Sequence, residues 1–154
     1  MVSPAIVWDN RKFKMWYVKT RGYGDQKNSI YYMESLNGFN WFHERKVNIK
    51  FNKIVPWHID VQKLSNGEYW MLITAYLRKK TWTFNPPIGL YLARSRDGIN
   101  WKVDENPILE KGPKNSWDSD AIYRSTFLIQ KGKMKVWYSA AHNNIWHIGY
   151  TEIL

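Results

Sequence analysis

Ser95-Arg96-Asp97-Gly98-Ile99-Asn100-Trp101 repeats, sixty residues on, the phrase Ser35-Leu36-Asn37-Gly38-Phe39-Asn40-Trp41. An internal repeat of this period constrains the architecture before any local propensity does. Each copy follows an apolar run, Ile30-Tyr31-Tyr32-Met33 or Leu90-Tyr91-Leu92-Ala93, and centres on Asn-Gly or Asp-Gly. Such a pair predicts a two-residue type I′ hairpin, which needs positive φ at both central residues.

Working outward, an aromatic-rich strand precedes each phrase: Phe13-Lys14-Met15-Trp16-Tyr17-Val18 and Glu68-Tyr69-Trp70-Met71-Leu72-Ile73. A third version appears at Lys133-Met134-Lys135-Val136-Trp137-Tyr138. Ahead of each lies a turn-forming cluster (Asp9 to Lys12, Ser65 to Gly67, Gln130 to Lys133) and, before that, another strand (Pro4 to Val7, His58 to Val61, Tyr123 to Leu128). Four antiparallel strands in about 50 to 60 residues is the pattern of a β-propeller blade. The chain therefore reads as one all-β domain, 1–154, of three blade-like units spanning about 1–52, 53–112 and 113–154. Ten Trp, ten Tyr and six Phe suit pleated, half-buried faces that pack on one another.

No apolar run approaches the roughly 20 residues that cross a bilayer, so no membrane partner is expected. The absence of cysteine removes disulfides and thiolate metal sites, and leaves the compartment open. A net charge of +10 allows an anionic partner, but most Lys alternate with apolar strand residues (Lys12, Lys14, Lys133, Lys135), as solvated faces require. With no zinc spacing, no RNP-like phrase and no basic helix, the sequence argues against nucleic acid. His142 and His147 have no third ligand at a telling spacing, so neither a metal nor another cofactor is predicted.

Several stretches together resemble the later blades of the five-bladed β-propeller glycoside hydrolase superfamily, which holds arabinanases, xylosidases, invertase-like fructosidases and β-mannoside phosphorylases. They are Ser3 to Val7, Trp57-His58-Ile59-Asp60-Val61, Leu90 to Trp101, Ile122 to Thr126, and Val136-Trp137-Tyr138-Ser139-Ala140. The resemblance implies a carbohydrate ligand, oligo- or polysaccharide and an anionic one included. It also implies an incomplete propeller, completed by a second chain, by a second copy, or by residues outside this sequence. In such enzymes a Glu before a Pro on an inner strand often acts as general acid; here that place reads Ser3-Pro4. The expected function is part of a glycoside-hydrolase-like protein that binds or hydrolyses a polysaccharide. A non-catalytic carbohydrate-binding or adhesion module is the alternative, and simple polyanion binding a third reading.

Site residues are sought where the units differ. His58 and Asp60, two apart on a strand, share a face. If that face lines the funnel, Asp60 is the candidate catalytic carboxylate and His58 a donor to the substrate. Otherwise Asp60 bonds strand amides and His58 packs under Trp57. In Trp117-Asp118-Ser119-Asp120-Ala121-Ile122-Tyr123-Arg124, an extended chain would put Arg124 on the face of Asp120, a weaker catalytic candidate. Arg124 would then pair with Asp120 or bind an anionic ligand group. Tyr123 and the indoles of Trp57, Trp82, Trp117 and Trp146 are either platforms for a sugar ring or core.

Overall fold

The computed structural model describes residues 1–80 and 87–153; Trp82 lies outside them. The first sheet has the order β1 (Val2–Asp9), β2 (Lys12–Lys19), β3 (Ser29–Ser35), β4 (Phe42–Lys46). The second runs β5 (Ile54–Lys63), β6 (Tyr69–Leu77), β7 (Gly89–Ser95), β8 (Lys102–Val103), with β9 (Leu109–Glu110) also on β7. The third holds β10 (Ala121–Gln130), β11 (Lys133–His142) and β12 (Ile145–Ile153). Every strand pairing is antiparallel and, β7–β9 apart, joins chain neighbours, and the sheets stack face to face as propeller blades do.

Stacking order follows from hydrophobic pattern. β6 (Tyr69-Trp70-Met71-Leu72-Ile73-Thr74-Ala75-Tyr76-Leu77) is nearly continuous in apolar residues because both its faces are covered. Met71, Ile73 and Tyr91 meet Trp16, Val18 and Tyr32 of the first sheet. Leu72, Leu90 and Leu92 meet Phe127, Met134 and Val136 of the third. β11 alternates, with Met134, Val136, Tyr138 and Ala140 buried and the intervening Lys133, Lys135, Trp137 and Ser139 less so, because only one face is covered.

The repeated phrase does not form type I′ turns. Six residues, 36–41, separate β3 from β4, and positive φ occurs at Gly38 (+78°) and Gly98 (+77°) but not at Asn37 or Asp97. Side chains fold the loop instead. Ser95 Oγ accepts the N–H of Asp97 and of Gly98, and Asp97 Oδ1 accepts those of Ile99 (2.8 Å) and Asn100 (2.7 Å). Ser35 and Asn37 make the same four bonds in the first sheet. These contacts account for the Ser, Asn/Asp and Gly of the phrase. Two-residue turns with two positive φ values occur elsewhere, at Asn10-Arg11, Lys131-Gly132 and Asn143-Asn144.

Gly98 also receives a neighbouring sheet. Trp16 Nε1 donates to the Gly98 carbonyl at 2.7 Å and Trp101 Nε1 to the same oxygen at 2.9 Å. A Cβ on Gly98 would lie 2.8 Å from Trp16, whereas one on Gly38 would meet its nearest neighbour, Phe13, at 3.6 Å. Gly38→Ala should therefore cost about 1–2 kcal/mol for its left-handed backbone. Gly98→Ala should cost that plus about 1–3 kcal/mol of overpacking. Urea unfolding of the two variants measures the difference, and equal losses would show that Trp16 adds nothing at Gly98.

Candidate functional site

β1, β5 and β10 run in the same direction, since Ser3 meets His58 near their starts and Asp9 meets Lys63 at their ends, while His58 and Asp60 meet Tyr123 and Thr126. Their starts define one pole of the stack. Each strand has a register shift there, between Val2 and Ala5, between Pro56 and His58, and between Ile122 and Ser125. A bulge re-aims side chains and releases backbone groups. The bulged residues are Ser3-Pro4, Trp57 and Tyr123-Arg124, and Ser3 has a φ of +51°.

His58 is the centre of this pole. Its Nδ1 hydrogen-bonds the Ser3 hydroxyl, and its ring meets Tyr123 edge-on at 4.6 Å and Trp57 at 5.2 Å. Only 3% of it is exposed, and burial together with the Arg124 charge pushes its pKa down to about 4, so the ring is neutral at pH 7. Trp57 packs against Tyr23 at 5.1 Å, and Tyr123 against Trp146 at 5.5 Å. Exposed Arg124 sits 5.9 Å from the Tyr123 ring centre.

Among the described residues, four buried side-chain polar atoms have no hydrogen-bond partner: His58 Nε2, Trp57 Nε1, Thr74 Oγ1 and Asn28 Oδ1. All four belong to this pole. Thr74 is paired with His58 across β5 and β6, and Asn28 donates to the Pro56 carbonyl. Each such atom costs about 1–3 kcal/mol unless something meets it.

The other predicted residues fall as follows. His58 and Asp60 do share a face, but that face packs on the third sheet, because the two faces of an inner strand serve adjacent blades. Asp60 Oδ2 accepts from Thr126 Oγ1 (2.8 Å) and the Phe127 N–H (3.2 Å), and Oδ1 from the Val61 N–H (2.9 Å). Burial raises its pKa despite these bonds. Asp120 does not pair with Arg124, because the bulge takes Arg124 out of the expected alternation. Its carboxylate accepts the Asn143 N–H at 2.8 Å, which with His142 and Ser119 lowers its pKa. Ser119 Oγ lies 2.8 Å and Asp120 Oδ1 3.4 Å from the same His142 Nδ1, so no relay runs through the ring. Asp120, Ser119 and His142 line a cavity of about 590 Å³ with Lys111 and Lys114. Trp117 has its ring contacts with Tyr138 (5.7 Å) and His147 (6.1 Å), on the third sheet. Tyr23, Tyr76 and Asn28 belong to the pole and had no local sequence signal; only the fold brings them to Trp57.

No protein-family model matches the chain. An A type blood N-acetyl-alpha-D-galactosamine deacetylase of Flavonifractor plautii is 31% identical over 99% of this chain, which spans 25% of that protein. The crystal structure of an N-acetylgalactosamine deacetylase from F. plautii with blood group B trisaccharide superposes with a TM-score of 0.86 at 29% identity, over 99% of this chain and 50% of that one. In fold alone, a family 117 glycoside hydrolase of Zobellia galactanivorans matches at a TM-score of 0.73 (19% identity, 97% of this chain, 50% of that one). A GH32 β-fructofuranosidase of Bombyx mori matches at 0.75 (20% identity, 98% and 32%). The chain thus has the fold of an incomplete glycosidase-like propeller, and its relatives are carbohydrate-processing enzymes.

The neutral His58 has a consequence for stability. Between pH 6.5 and about 4 the unfolded chain binds a proton that the folded one refuses, so stability falls as pH drops through that window. Thermal melts at pH 7 and pH 5 should show a smaller loss of Tm for His58→Gln than for the unaltered chain. An equal loss would mean that His58 titrates normally.

Proposed function

With the glycosidase-like propeller fold as premise, we propose that this chain is part of a protein that binds or processes a glycan at the pole centred on His58. The observation that supports this most is the accessible group of Tyr123, Arg124 and Trp146 beside the buried His58. Tyr123 and Trp146 offer stacking faces to a sugar ring, and Arg124 a donor for an acceptor or anionic substituent. The names of the relatives make blood group A and B trisaccharides the first ligands to test.

Whether the glycan is hydrolysed turns on carboxylates. Hydrolysis by the usual route needs two of them about 5–9.5 Å apart. Asp60 and Asp120 are shifted in opposite directions, which suits an acid and a base, but each is held by backbone N–H groups of its own chain. That engagement favours binding as the role of this pole by itself, with turnover belonging to a ring completed by a second chain or copy.

In that complete assembly, Arg124→Ala and Trp146→Ala should each weaken trisaccharide binding about tenfold, roughly 1.4 kcal/mol, by calorimetric titration. Asp60→Asn should abolish turnover or weaken binding. Unchanged affinity in the first two variants would remove the pole as the glycan site, and unchanged activity in the third would remove Asp60.

A further inference from the structure

We propose that the junction of the first and second sheets carries a second ligand site, for an acidic polysaccharide whose carboxylate or sulfate groups meet a ridge of lysines. The ridge is built around Arg78. Its backbone N–H donates to the Lys53 carbonyl at 2.8 Å, and its guanidinium donates to the carbonyls of Gln26 and Ile54 at 3.1 Å and of Phe51 at 3.4 Å. The Lys79 N–H adds a bond to Gln26 Oε1 at 2.7 Å. One arginine thus ties together three connections: the one before β3, the one from β4 to β5, and the one after β6. Each brings exposed lysines, Lys27 on the first, Lys50 and Lys53 on the second, Lys79 and Lys80 on the third. Among the described residues no carboxylate forms an ion pair with Arg78 or with any of the five. The acid closest in sequence, Asp25, is 2% exposed and already accepts from Arg21 at 3.0 and 3.1 Å. Like charges held on a pinned backbone repel one another and draw in an anion, and a cleft concentrates that field.

Such a cleft adjoins the ridge. A groove of about 700 Å³ lies between the 48–54 and 101–106 segments, with Lys50, Lys53 and Lys102 along it. Its two walls are joined where the Asn48 N–H donates to the Ile99 carbonyl at 2.8 Å and the Trp101 N–H to the Asn48 carbonyl at 2.9 Å. Of the two carboxylates in its lining, Asp104 accepts from Arg94 through both oxygens, at 2.7 and 2.8 Å, which leaves Glu105 against three ammonium groups. The side-chain amides of Asn52 and Asn106 can both donate to and accept from hydroxyl groups. Tyr91 and Trp101, its largest rings, are only 6% and 7% exposed, so the groove offers no platform for stacked bases, the usual means of holding a single nucleic-acid strand. Ammonium groups for acids, amides for hydroxyls and no accessible ring describe a charged glycan chain. Both sheets of the junction and the connection between them are among the described residues, and the groove shares no residue with the pole. The inference rests on the reading that the protein takes a glycan, but not on the pole as its site.

Dextran sulfate is the probe, titrated calorimetrically into the complete assembly over a range of salt, with uncharged dextran as a control that should not bind this groove. The double variant Lys53→Gln/Lys79→Gln should weaken dextran sulfate binding about tenfold, and the slope of log affinity against log salt should become shallower by about 2, one for each charge removed. Lys131→Gln/Lys135→Gln removes the same charge from the third sheet and should leave both quantities unchanged. Equal losses in the two double variants would reduce the effect to net charge and overturn the proposal, as would a failure of dextran sulfate to bind. Tighter binding of a DNA duplex than of dextran sulfate at the same salt would also overturn it, in favour of nucleic acid. Arg124→Ala should keep its dextran sulfate affinity whatever becomes of its trisaccharide affinity, so the pole and the groove fail separately.

Discussion

Two indoles share one carbonyl in this molecule, and the stacking of the first two sheets depends on it. Trp16 and Trp101 both donate to the Gly98 oxygen, and the carbonyl is reachable because Gly98 adopts a conformation that L residues avoid and carries no Cβ to keep Trp16 away. Buried indole N–H groups need an acceptor, and a loop between strands is one of the few places where a backbone carbonyl is not already committed to a ladder. The repeated phrase exists to make that loop. Its Ser and Asn/Asp side chains replace the backbone bonds that a hairpin would have had, so the loop keeps its shape while presenting the carbonyl sideways.

Face-to-face stacking then decides where chemistry can be placed. Both faces of an inner strand meet neighbouring sheets, and half-buried Asp60 shows it: its carboxylate bonds Thr126 and Phe127 of the adjoining sheet. What escapes the stack is the start of each inner strand, and there the three bulges interrupt the ladder and turn Trp57, Tyr123 and Arg124 toward the pole. The candidate site at the pole is therefore assembled from irregularities that recur at one level of the stack.

Much of this was legible in the sequence, for definable reasons. The sixty-residue period and the aromatic strands report packing that repeats, and the contrast between continuous β6 and alternating β11 reports which sheet lies in the middle. His58 and Tyr123 drew notice because they differ between units at matched positions, Trp57 as an indole beside a loop and Arg124 by its spacing from Asp120. The turn type was misread because Asn-Gly serves both a type I′ hairpin and a side-chain-built loop, and only the Ser two residues earlier separates them. Bulges have no local signature, which is why Arg124 was expected beside Asp120. Trp16, Trp70 and Trp137 also align by eye, yet the register pairs Trp16 with Tyr32 and Leu72 with Leu92, so Leu72 is the second-sheet equivalent of Trp16. The longer 64–68 loop before β6, in place of a two-residue turn, moves the pattern by one pleat.

The two ends of the stack are treated in opposite ways. At the hairpin end, buried Asp9 receives Lys14, Lys63 and the Tyr69 hydroxyl. Burial alone would raise its pKa, but those three donors outweigh it and hold the carboxylate ionised far below the usual range. That clamp joins β1, β2, β5 and β6 with every partner satisfied, and it absorbs part of the basic excess that a polyanion reading would have assigned to a groove. At the other end, four buried polar atoms are left without partners around a neutral imidazole. The net charge of +10 is thus in part a property of strand faces and of the clamp, whereas the guanidinium of Arg124 at the pole rests on the Tyr123 ring.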